Sequence, residues 1–148
     1  MYLDSNVFIY AALDDGDLGE SARALLKNIQ ENKATGIVSP LVFDEVLWVV
    51  QKMAGREDAK AIAQGLLELP LQWVDVGYTS VRQSMPAYES GLDPRDAMHV
   101  GIMIDYSIKV IVSEDKDFDK VKTIERKNIK TILKELDTVS TGQNNRSK

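Results

Sequence analysis

The chain contains no cysteine and a single histidine, His99. Without cysteine there is no disulfide framework, no zinc site built on thiolates and no thiol nucleophile. With one histidine, a His-rich metal site is excluded as well, so any metal must be held mainly by carboxylates. Long apolar runs are also missing. The best of them, Val46-Leu47-Trp48-Val49-Val50, falls far short of the ~20 residues needed to span a bilayer. No cationic segment precedes an apolar stretch at Met1-Tyr2-Leu3-Asp4, so no signal peptide is expected there. A soluble, cytoplasmic protein is therefore expected, with no membrane partner. Nor is there an internal repeat or a Pro/Gly/Ser linker.

What remains is 148 residues, 44% hydrophobic and 28% charged, enough for one ordinary domain with a real core. The net charge is −5 and unevenly spread: residues 1–119 carry 10 Lys/Arg and 20 Asp/Glu, whereas residues 120–148 carry 8 and 3. An acidic body argues against binding nucleic acid by bulk electrostatics. It leaves room for a site that recruits a cation and then phosphate. Residues 136–148, ending in Thr138-Val139-Ser140-Thr141-Gly142-Gln143-Asn144-Asn145-Arg146-Ser147-Lys148, read as a disordered polar tail, which leaves 1–135 as the domain.

Within it, strands alternate with helices. Strands are expected at Tyr2–Asp4, Gly36–Ser39, Leu71–Val76 and Lys109–Val112, with a final one near Lys130–Leu133. Helices are expected from Asn6 to Leu13 and from Leu18 to Asn32. Another runs from Pro40 to Met53, opened by Ser39-Pro40 and closed by Gly55. Further helices cover Glu57–Glu68, Tyr78–Tyr88 with Pro86 ending or kinking it, and Pro94–Tyr106. Such alternation implies a mainly parallel sheet covered on both faces, with sites at the carboxyl ends of its strands.

Four acids stand at those positions. Asp4 follows the first strand, where a turn or cap role is the alternative; Ser5 and Asn6 read as N-caps that could also hold a metal-bound water. Glu45 lies on the shoulder of a stripe formed by Val42, Val46, Val49 and Met53, while Asp44 points almost the opposite way. A carboxylate beside a core stripe is unusual, a boundary Glu being the alternative. Asp96 sits three residues after Asp93, in what also reads as a capping box. Asp115 and Asp117 follow the strongest strand, in a segment that also reads as a loop of solvated charge; Ser113 at that strand's end could orient a carboxylate. His99 reads as a surface or boundary residue, and Trp48 and Trp73 as core or interface residues rather than stacking platforms. Carboxylates converging on one sheet edge are costly unless a cation joins them, and hard oxygen ligands favour Mg²⁺ or Mn²⁺. The chemistry most often built this way is metal-assisted phosphodiester cleavage.

The ordered set resembles a PIN-domain protein. Asp4-Ser5-Asn6, Glu45 within Ser39-Pro40-Leu41-Val42-Phe43-Asp44-Glu45-Val46-Leu47, Asp96-Ala97-Met98-His99 and Val112-Ser113-Glu114-Asp115-Lys116-Asp117-Phe118 resemble the family's four motifs in turn, with Ser113 where Thr is usual. The resemblance implies a Rossmann-like three-layer α/β/α fold with a mainly parallel five-stranded sheet. It implies a Mg²⁺- or Mn²⁺-dependent ribonuclease with Asp4, Glu45, Asp96 and Asp115 at the metal, Asp117 auxiliary, and Ser5, Asn6 and Ser113 in support. Short members resemble VapC toxins, which implies an RNA substrate, a small antitoxin partner and a homodimer. Surplus apolar surface at Leu47, Trp48 and Glu57–Glu68 suits an interface. The alternatives are a housekeeping RNA-processing PIN nuclease and a non-catalytic PIN-like module that binds RNA or protein. A haloacid-dehalogenase-like phosphatase would need an acid where Asn6 stands, and a receiver domain would need an acidic pair ending the first strand.

Overall fold

The computed structural model describes the backbone of residues 1–144 and side chains through residue 138. Five parallel strands form one sheet in the order β3-β2-β1-β4-β5, with β1 Tyr2–Leu3, β2 Ile37–Val38, β3 Gln72–Trp73, β4 Val110–Val112 and β5 Glu125–Lys127. Among the described residues, seven α-helices flank it: α1 Ser5–Leu13, α2 Asp17–Gln30, α3 Pro40–Ala54, α4 Arg56–Glu68, α5 Tyr78–Glu89, α6 Pro94–Asp105 and α7 Ile129–Asn144. This is the expected Rossmann-like α/β architecture. The strand order reverses at β1, with β2 and β3 to one side and β4 and β5 to the other. Crevices open at such a reversal, outside the strands' carboxyl ends.

The strands are short, and burial is concentrated in the central ones. Tyr2, Leu3, Val38, Ile111 and Val112 are fully buried, whereas β3 at one edge is exposed at both residues. At the other edge, β5 is Glu125-Arg126-Lys127, a charged edge of the kind that discourages pairing with another chain. The strand expected near Lys130–Leu133 is instead the start of α7. Ile129, Ile132, Leu133 and Leu136 recur at helical spacing and pack against the core. Asn128 Oδ1 accepts from Thr131 N at 2.8 Å, and Glu114 Oε1 accepts from Ile129 N at 2.9 Å. Both satisfy free donors of the first turn. α7 covers the first part of the stretch read as a polar tail, while residues 145–148 lie outside the described residues.

Two other expectations shift. Pro86 lies inside α5, which continues to Glu89. The buried stripe of α3 is Val42, Glu45, Val46 and Val50, leaving Val49 half-buried and Met53 68% exposed. Gly55, at φ +95°, closes α3 as expected. α5 and α6 pack closely at Gly101, where an added Cβ would stand 2.2 Å from the Ser80 carbonyl oxygen. That contact holds α6, which carries Asp96 and His99, against α5. No described helix is long and apolar enough to cross a membrane.

Candidate metal-binding active site

Asp4 leaves β1 and caps α1. Its backbone N–H donates to the Val112 carbonyl of β4 at 3.1 Å, extending the sheet by one bond. Its Oδ1 accepts from Ser5 N at 2.7 Å, and its Oδ2 from Asn6 Nδ2 at 2.8 Å and Ser113 Oγ at 2.5 Å. The cap and site readings of Asp4 are thus both physical, since one carboxylate does both. Ser5 and Asn6 are the first two helical residues rather than caps. Ser113 Oγ donates to Asp4 and accepts from Asn6 Nδ2 at 2.9 Å and from Asp115 N at 3.0 Å. One donor and two lone pairs exhaust a hydroxyl, so Ser113 ties the ends of β1 and β4 together and aims the Asp115 loop. Arg126 supports the same corner, donating to the Ser113 carbonyl at 3.0 Å and forking onto Asp119.

Glu45 is 7% exposed and held from below. His99 Nε2 lies 2.8 Å from Glu45 Oε2, His99 Nδ1 lies 2.9 Å from the Tyr2 hydroxyl, and that hydroxyl lies 2.7 Å from Ser39 Oγ. Tyr2, Ser39 and His99 are fully buried. The expected surface or boundary histidine is therefore a core residue, because its ring meets partners from β1 and α3 that a single helix cannot reveal. The signal available in the sequence was its place three residues after Asp96 and four before Met103, on the inward face. Burial resists a charge on the imidazole, but the Glu45 hydrogen bond and the nearby carboxylates of Glu45, Asp4 and Asp96 raise its pKa. Burial would likewise raise Glu45, yet His99 and Arg95 prevail and lower it.

The outer half of the cluster is less supported. Asp96, half-buried on the first turn of α6, is pushed up to about 6 by desolvation and then by Asp115, Asp4 and Glu45, with His99 opposing. Asp93 caps α6 without a side-chain bond, so no capping box is made. Asp4 is raised, chiefly by burial. Asp115 is exposed and caps a 3₁₀ turn over Lys116–Lys120 by accepting from Asp117 N at 2.8 Å. Asp117 pairs with Lys120 at 2.8 Å. Asp44 is exposed, whereas its neighbour Glu45, about 100° round α3, is buried.

Among the described residues, Asp4, Glu45 and His99 offer ligand atoms within 4.8 Å of one another. A hard divalent cation suits the carboxylates. Asn6 Oδ1, buried beside Asp4 and without a partner, is an acceptor that a cation or its bound water would satisfy. His99 is less suited as a ligand, because both its nitrogens already serve Glu45 and Tyr2; it fixes the carboxylate instead.

The model of the PIN domain family matches residues 1–124. The chain belongs to the PIN domain family. No curated protein matches it, but solved structures share its fold. VapBC2 from Rickettsia felis, bound to a DNA fragment from its promoter, is 18% identical with a TM-score of 0.67, covering 86% of this chain and 96% of its own. VapC20 from Mycobacterium tuberculosis, a Sarcin-Ricin loop cleaving toxin, is 17% identical with a TM-score of 0.68, covering 84% and 96%. DNA-bound VapBC from Salmonella typhimurium is 16% identical with a TM-score of 0.68, covering 86% and 96%. At such identities the likeness is one of fold. In this PIN domain, Asp4 follows β1, Glu45 lies on α3, Asp96 opens α6 and Asp115 follows β4.

Proposed function

We propose that this PIN domain is a divalent-metal-dependent endoribonuclease and the toxin of a toxin–antitoxin pair. The observation that carries the reading is the gathering of Asp4 and Glu45 with His99 at the sheet's switch point, with Asp96 electrostatically coupled to Asp4, Glu45 and Asp115. Asp4, Glu45, Asp96 and Asp115 would hold Mg²⁺ or Mn²⁺. When bound, the cation supplies an acidified water and neutralises charge on the phosphoryl oxygens. Ser113 and Asn6 hold Asp4, Ser5 supports the same corner, and Asp117 serves at the outer edge. His99 keeps Glu45 ionised and aimed. Arg95 Nε, 3.9 Å from Glu45 Oε1, offsets part of that carboxylate's charge.

The VapBC structures support a small antitoxin as partner. A groove between α1, α2 and α4, lined by Phe8, Leu26, Ile62, Leu66 and Leu69, suits an apolar segment of it. Tyr78, Val81, Met85 and Tyr88 form an exposed apolar stripe on α5, which supports a homodimer better than the Leu47–Trp48 surface does. The setting is the cytoplasm.

The test is cleavage of total and synthetic RNA with Mg²⁺ or Mn²⁺, with and without EDTA. Cleavage that EDTA abolishes and Asp96→Asn removes is expected; cleavage surviving EDTA rejects the metal chemistry. Sedimentation at tens of micromolar, roughly the range of weak association, tests the dimer. A gene with no small neighbouring reading frame would move the protein to the RNA-processing nucleases and leave the chemistry intact.

A further inference from the structure

A cation–aromatic–cation array leads outward from Glu45. Glu45, Trp48 and Lys52 stand at i, i+3 and i+7 on α3 and so share one face over ~10 Å of helix. The Trp48 ring is 54% exposed. The Lys52 ammonium lies 5.1 Å from its centroid and the Arg95 guanidinium 5.7 Å. Arg95 comes from the first turn of α6, also lies 3.9 Å from Glu45, and its side chain is 51% exposed. These contacts place two cations on an indole at the lip of a carboxylate cluster, in a segment of the chain that is otherwise strongly acidic.

We infer that this lip is the subsite for an unpaired nucleotide beside the scissile phosphodiester, with its base stacked on Trp48 and its flanking phosphates on Arg95 and Lys52. A nucleotide offers a flat π-face and anionic oxygens together, matching both features of the array. The base must be unpaired, because in a duplex its faces are already stacked. The substrate class is accordingly single-stranded RNA, or a loop with an extruded base. The two cations also offset the repulsion that the carboxylates exert on a polyanion at this edge. The inference rests on the ribonuclease reading for the identity of the strand, but the subsite is read separately from cleavage.

The experiment uses the full chain carrying Trp73→Phe, so that Trp48 is the sole tryptophan, and Asp96→Asn to prevent turnover. An oligoadenylate of about ten nucleotides, within the usual span of single-strand sites, is titrated with Mg²⁺ present. Expected are saturable quenching of Trp48, weakening with salt, and little quenching by an RNA duplex of equal length. In the otherwise wild-type chain, Trp48→Ala and Lys52→Glu should each raise KM about tenfold with kcat within about twofold, as loss of a stacking contact implies, and Trp48→Phe should recover most of the loss. Trp48 and Lys52 are exposed, so these variants should melt like the parent. Absence of quenching, or equal quenching by duplex, overturns the inference even if the wild type cleaves RNA. Quenching without any metal-dependent cleavage by the wild type leaves the subsite standing and rejects the nuclease reading.

Discussion

The carboxylate cluster has two halves built on different physical terms. In the inner half, Glu45 belongs to the buried chain Ser39–Tyr2–His99–Glu45, and the Asp4 carboxylate accepts hydrogen bonds from Ser5, Asn6 and Ser113. In the outer half, Asp96 is half-buried with its pKa raised to about 6, and Asp115 is exposed on a short 3₁₀ turn. The inner carboxylates are fixed in place by the fold. At Asp96, burial and then repulsion from Asp115, Asp4 and Glu45 disfavour the charge. Preorganisation and charge storage are thus divided between neighbouring residues of one site.

Breaking the inner half should have the largest effect. His99→Leu removes the group that compensates buried Glu45 and strands the Tyr2 hydroxyl on one partner. Loss of about 3–5 kcal/mol is expected, as for one member of a buried charged pair, read by urea denaturation. Activity should fall by the roughly 10–100-fold typical of groups that orient ligands. A loss under about 1 kcal/mol would mean that the buried chain does not act as a unit.

Asp4→Asn comes next in stability. An amide would turn a donor toward Asn6 Nδ2 and Ser113 Oγ, which already donate to Oδ2. The mismatch should cost about 1–3 kcal/mol, together with loss of cleavage beyond that of His99→Leu. Unchanged or improved stability would show that charge repulsion, rather than hydrogen bonding, governs the inner half too.

The outer half should respond with the opposite sign. Asp96→Asn relieves repulsion at a half-exposed position, so cleavage should disappear while the metal-free protein gains about 1 kcal/mol, discounted for solvent screening. For the wild type without metal, Asp4 and Asp96 are raised, so the folded state holds their protons above the unfolded pKa and loses stability as pH climbs from about 4 through 6. His99 is also raised and adds a loss in the same direction through its folded pKa; Glu45, lowered, opposes only at the acid end. Thermal melts should therefore fall from pH 5 towards neutrality, less steeply in Asp96→Asn, and Mn²⁺ should restore the loss. A melting temperature that rises with pH over this range would contradict the assignment.

The smallest effect sharpens the comparison. Asp44→Ala should change stability by less than about 0.5 kcal/mol and leave cleavage intact, because Asp44 is turned about 100° from Glu45 on α3 and is exposed. Glu45→Ala should abolish cleavage. Equal losses from both would break the face assignment on which the inner half depends.

The first four strands and six helices, the parallel sheet, the positions of Asp4, Asp96 and Asp115 near element ends, and an exposed Asp44 beside an inward Glu45 were legible in the sequence. Each rests on local periodicity, capping or turn chemistry, which operate within a few residues. The last strand was not legible, because Glu125-Arg126-Lys127 has no apolar pattern and pairs only because β4 presents an open edge. The contacts that make the site were hidden for the same reason. Tyr2 meets His99 across 97 residues, His99 meets Glu45 across 54, and Ser113 meets Asp4 across 109. Such bonds depend on which strands become neighbours, and no window of local sequence carries that. The sequence by itself thus determined which chemistry the chain can assemble. Tertiary packing decided that its one histidine is buried beneath a carboxylate, that Asp4 caps α1 while lying close to Glu45 and His99, and that the partly exposed Trp48 ring has two cations over it.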